Sequence, residues 1–74
     1  MQSNLTHLRE GDSAIISTLA HTGAIRQRLQ ELGLVSGTSV MCLKISPHAD
    51  IAAYGIRGAV IAIRAEDARL ITIL

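Results

Sequence analysis

Three histidines and one cysteine are the side chains of this chain best suited to hold a metal: His7, His21, His48 and Cys42. Imidazole and thiolate suit zinc, iron or copper. A resident site, however, needs ligands at a spacing that converges. No two of these histidines stand four apart on one helix turn, and no second cysteine completes a Cys/His set. Each histidine falls in or beside a segment that reads as loop, where a solvated ring needs no ligand. The residues therefore favour no intrachain metal site, with His21 and His48 retained as weak candidates for ligands shared between molecules. Cys42 alternates with Val40 along an apolar strand pattern and reads as a buried, inert thiol. Catalysis has less support still. There is no G-x-S-x-G, no carboxylate pair at useful spacing and no glycine loop to cradle a phosphate. The expectation is a chain with no enzymatic activity and no cofactor.

The remaining groups with chemistry to offer are Arg26 and Arg28, inside Thr22–Val40, TGAIRQRLQELGLVSGTSV. Ile25, Leu29 and Leu32 recur at i, i+4 and i+7, which predicts one apolar face of a short helix. Thr22 is placed to cap its start. Gly33 stands where a left-handed residue ends a helix, so Leu34 should fold back on Leu29 in a Schellman stop. Arg28 has Glu31 at i+3 as an expected partner, while Arg26 is expected to be solvated. Planar guanidinium forks also suit carboxylate or phosphate on another protein. Val35 is apolar just beyond the helix stop, where a polar residue is expected. Arg26, Arg28, Leu34 and Val35 are thus the candidate partner-binding residues.

Around that helix the pattern is strand and turn. Gly11-Asp12 is a turn, and Ser13–Leu19 a strand with Ala14 and Ile16 on one face. A second strand covers Thr38–Leu43, and Lys44–Asp50 reads as a hairpin connection containing Pro47. Strands follow at Ile51–Ile56 and Ala59–Arg64, joined at Arg57-Gly58, and Gly55 marks a bulge or a close backbone approach. Ala65–Ala68 suits a single helical turn, and Leu70–Leu74 closes the chain. Five short strands with one inserted helix predict an all-β fold, a small bent sheet or SH3-like barrel, because closure removes exposed edges.

Composition sets the bounds. Seventy-four residues make one domain, 1–74, whose core is aliphatic: 22 Ile, Leu and Val, 10 Ala, one Tyr, and no Phe or Trp. A net charge of +1 with interspersed signs lacks the basic excess of a nucleic-acid footprint, and base stacking needs aromatic rings the chain does not have. The lone cysteine fits a reducing compartment. MQSNLTHLREGD shows no charged segment followed by an apolar one, and no run approaches the roughly 20 apolar residues that span a bilayer. A cytoplasmic location, no nucleic-acid partner and no membrane insertion are the expectations, with weak homo-oligomers through an edge strand or apolar patch left open.

Taken in order, Leu5-x-x-Leu8-x-x-Gly11, Arg28-Leu29-x-Glu31-Leu32-Gly33-Leu34-x-x-Gly37-Thr38-x-Val40, Arg57-Gly58, Ile61-Ala62-Ile63-Arg64 and Glu66-x-Ala68-x-x-Ile71 resemble the FeoA family. The resemblance covers nearly the whole chain. It implies a small SH3-like barrel that accompanies the membrane protein FeoB in bacterial ferrous iron uptake. By implication the chain is a non-enzymatic cytosolic accessory that binds FeoB's cytosolic part and biases its state. The alternative is a small metal- or ligand-binding homo-oligomeric regulatory module. The chain departs from the family where Gly-Asp-Pro is common before the third strand: Ala49-Asp50-Ile51 stands there, and the only proline is Pro47.

Overall fold

The computed structural model describes residues 3–74. The chain forms six strands: β1 (Ser3–Asn4), β2 (Ser13–Leu19), β3 (Ser39–Ile45), β4 (Ile51–Ile56), β5 (Ala59–Arg64) and β6 (Ile71–Ile73). Helix α1 (Gly23–Glu31) lies between β2 and β3, and the single turn α2 (Ala65–Ala68) between β5 and β6. The strands form one rolled antiparallel sheet in the order β1-β6-β2-β3-β4-β5. Five strands match the expected ones. The sixth, β1, pairs Ser3 and Asn4 with Ile73 and Thr72, where the sequence predicts no element. Two residues carry no alternation to detect.

The core is the inner face of this roll. Leu5, Ile16, Leu34, Val40, Cys42, Ile56 and Ile71 are its largest fully buried side chains. Tyr54 joins them, its hydroxyl donating to the Leu5 carbonyl at 3.4 Å, and burial pushes its pKa up. Cys42 is buried as expected, and its thiol is pushed up first by desolvation and then by the carboxylates of Glu10 and Asp12. Gly55 forms no bulge in β4. Nor does any backbone approach it closely: the nearest atoms to a Cβ placed there belong to the Leu43 side chain, at an ordinary van der Waals distance of 3.4 Å.

Both hairpins show backbone cost. Ala49 sits at φ 58°, a left-handed conformation that suits glycine, at the position where the family pattern places one. Arg57 (φ 51°) and Gly58 (φ 81°) make the two-residue turn between β4 and β5, with both central residues left-handed as a type I′ turn requires. Arg57 tolerates this with its stem packed over Gly33 and its guanidinium 3.4 Å from Thr38 Oγ1.

Candidate docking surface

Helix α1 ends as its sequence predicts. Gly33 adopts φ 107°, the Gly33 N–H donates to Gln30 O at 3.0 Å, and the Leu34 N–H donates to Leu29 O at 3.0 Å. These are the two bonds of a Schellman motif. The helix start differs. Thr22 is the N-cap residue in extended conformation, but its side chain makes no capping bond.

The buried face of α1 is narrower than its periodicity implies. Leu29 alone is buried, while Ile25 and Leu32 stay 46% and 44% exposed. The expected Ile25–Leu29–Leu32 core stripe is therefore corrected to a single anchor. A nine-residue helix laid on the rim of a small roll meets it along one line, so residues at i−4 and i+3 from Leu29 are left outside.

The candidate partner residues separate accordingly. Leu34 has no exposed surface and belongs to the core, so it leaves the expected contact set. Arg26 is half-buried and donates to the Leu19 carbonyl, tying α1 to the end of β2 rather than reaching solvent. Arg28 is exposed, and the expected pair with Glu31 does not form. Among the described residues the close ion pair is Arg64–Glu66, and His21 approaches Asp67. Val35 is half-buried. What flanks Arg28 along the helix is a pair of exposed aliphatic side chains, Ile25 and Leu32, of the apolar face that the spacing predicts.

Beside α1 runs an open groove of about 490 Å³. Its helix wall is Arg28 and Leu32, its floor Leu29 and Ile63, and its far wall Ile61, Ala62 and Arg64 of β5, with Asp67 at one end. The outer sheet face carries a second exposed apolar area, Met41, Leu43 and Val60, with Lys44 exposed on the same face. A third cavity, bounded by Leu8, Ile45, Ile51 and Tyr54, measures about 120 Å³. That is well below the roughly 300–1,000 Å³ of an organic-ligand site.

No histidine lines the groove beside α1. His21 is 5% exposed, with Nε2 3.8 Å from Asp67 Oδ1 and neither ring nitrogen hydrogen-bonded among the described residues. His48 is exposed on the β3–β4 hairpin, in a shallow cleft with Asp50, Arg64 and Glu66. No three His, Cys, Asp or Glu side chains converge to hold a metal among the described residues. No helix among them is long and apolar enough to cross a membrane.

The FeoA domain family profile matches residues 3–74. A Porphyromonas gingivalis protein described as an Fe(2+) transport protein A/Fe(2+) transporter FeoB fusion is 32% identical over 69 residues, covering 93% of this chain. The chain spans only 8% of that relative's length. The solution structure of FeoA from Chlorobium tepidum superposes with a TM-score of 0.90 at 32% identity, over 96% of this chain and 68% of that one. A Stenotrophomonas maltophilia FeoA, described as a procaryotic SH3 domain protein complexed with zinc, gives a TM-score of 0.84 at 25% identity, over 97% and 89% of the two chains.

Proposed function

Because the chain belongs to the FeoA domain family, we propose that it is a non-enzymatic accessory of ferrous iron uptake that docks on the cytosolic part of a FeoB-type transporter and biases its state. The P. gingivalis relative, in which a FeoA segment and FeoB share one polypeptide, supports the association. The single observation behind the docking face is the exposure of Ile25 and Leu32 on either side of Arg28. A solvated helix gains nothing from two half-exposed aliphatic side chains on one stripe. Covering them is worth on the order of 1 kcal/mol each, at about 25 cal/mol per Å². Arg28 adds a directional fork for a carboxylate.

Docking alone changes nothing about transport. The contact biases FeoB only if it binds one conformational or nucleotide state more tightly than the other. The test is an NMR titration of labelled chain with FeoB's cytosolic part, with and without guanine nucleotide. Shifts confined to Ile25–Leu32 that differ between nucleotide conditions support the reading, and unchanged spectra at high partner concentration refute docking on the isolated cytosolic part.

A second reading, divalent metal held between copies, has one observation behind it: the His21–Asp67 approach at 3.8 Å. Two ligands fall short of the four of a structural zinc site, so a second copy would have to supply the rest. Zinc titration followed by light scattering tests it. Metal-induced association lost in His21→Ala supports it, and a monomer in excess zinc removes it.

A further inference from the structure

Strand β5 is a sheet edge: among the described residues it pairs with β4 and with no other strand. Its turn fixes which groups are left over. Ile56 and Ala59 flank a two-residue turn and form a hydrogen-bonded pair, so in the alternating antiparallel ladder Tyr54–Ile61 is bonded as well. Val60, between these pairs, and Ala62, one position beyond Ile61, point their N–H and C=O groups away from β4. Proteins usually blunt such an edge with lysine, proline or a bulge. The segment AVIAIR has none of these before Arg64. Val60 is 69% exposed.

The free edge faces a wall. Across the groove stand Arg28 and Leu32 of α1, so the opening has unpaired backbone on one side and an apolar helix face on the other. This is the setting in which an extended peptide adds as a strand, its backbone read by the edge and alternate side chains by the groove. The geometry points to strand addition: the β5–α1 groove receives an extended segment of a partner protein, with apolar side chains on alternate residues and an acidic residue beside Arg28 or Arg64. The charge balance sets the acidic preference. Arg28 is in no close ion pair among the described residues, Arg64 has only a 3.9 Å approach to the exposed Glu66, and Asp67 lies toward His21. A second copy of this chain fits less well, because its β5 would bring its own α1 wall to the same junction. The inference rests on α1 as the partner-facing element and adds the chemistry of what meets it.

The test titrates 15N-labelled full chain with a capped octapeptide of alternating valine and threonine bearing glutamate at both ends. The expected result is shifts at Val60, Ala62 and Arg28–Leu32, with slowed amide exchange at Val60 and Ala62. Lysine in place of the glutamates should weaken binding about tenfold. N-methylation on alternate residues, in the register that faces β5, should weaken it by at least about tenfold, since it removes the ladder. The exposed double variant Arg28→Glu/Arg64→Glu should reverse the preference between the acidic and basic peptides. Ala62→Pro should abolish binding, and a thermal scan separates that loss from unfolding. No shifts at roughly 2 mM peptide, far into the weak-binding range, or equal binding of the N-methylated peptide overturns the proposal. Concentration-dependent protection of Val60 and Ala62 without peptide also overturns it, in favour of a second copy at the edge. If FeoB's cytosolic part shifts α1 but leaves the β5 amides unprotected, docking survives and strand addition falls. Peptide binding without FeoB binding does the reverse.

Discussion

Replacing Ala49 by glycine should stabilise the chain, although it deletes a methyl group. Ala49 sits at φ 58° in the turn closed by its own N–H donating to Ser46 O at 2.9 Å. An alanine held left-handed costs about 1–2 kcal/mol. Glycine removes that strain, but it broadens the unfolded ensemble and loses about 0.4–1 kcal/mol there. The difference is a gain of about 0.5–1 kcal/mol. For a domain of this size that raises Tm by about 3–6 °C. Arg57→Gly is the internal control, since φ 51° offers the same relief. It also strips the stem from Gly33 and the 3.4 Å contact with Thr38 Oγ1, so its net effect should be close to zero. Urea unfolding with both variants, read by far-UV circular dichroism, gives the comparison. An Ala49→Gly protein less stable than the parent, or an Arg57→Gly gain as large as Ala49→Gly, would refute the strain argument.

Leu34→Ala should cost about 2–5 kcal/mol, a large share of the roughly 4–11 kcal/mol typical of such a chain, and should reduce partner binding only in proportion to the unfolded fraction seen by urea titration. Arg28→Glu should do the opposite: stability within about 0.5 kcal/mol of the parent, with weaker binding to FeoB's cytosolic part by calorimetry. Asp50 has its pKa lowered, first by the Ser46 hydroxyl and then by backbone N–H groups. A depressed native pKa gives stability that is complete above the ordinary carboxylate range and lost as pH falls through the native value. Asp50→Asn should therefore flatten the acid limb of a stability–pH curve, and an unchanged limb would remove the Ser46–Asp50 bond as its cause. Cys42, buried with a raised pKa, should react with iodoacetamide at pH 8 far more slowly in the folded chain than in urea, because burial shields the thiol and the thiolate is the nucleophile.

Local chemistry explains what could be read without coordinates. The Schellman stop at Gly33, the turn at Arg57-Gly58 and the alternation of β2 to β5 depend on neighbours within a few residues, so sequence spacing alone specifies them. Cys42 as a core residue follows from the same alternation. The pairing order was not legible, because which strand becomes an edge is settled by contacts far apart in the chain. Nor could spacing say how wide a stripe of α1 would be covered. Ile25 and Leu32 carry the same periodic signal as Leu29, and only the curvature of the sheet beneath leaves them outside. Leu34 and Arg26 failed as surface residues for a related reason: one is drawn inward by the helix stop, the other held by the Leu19 carbonyl across seven residues. The sequence by itself determined the elements, their turns and the aliphatic interior, since each arises from short-range sterics and burial. The surface came from the tertiary arrangement: among the described residues it left the outer edge of β5 free, set α1 beside it and brought Arg28 and Arg64 to one groove, because those relations join residues far apart in the chain.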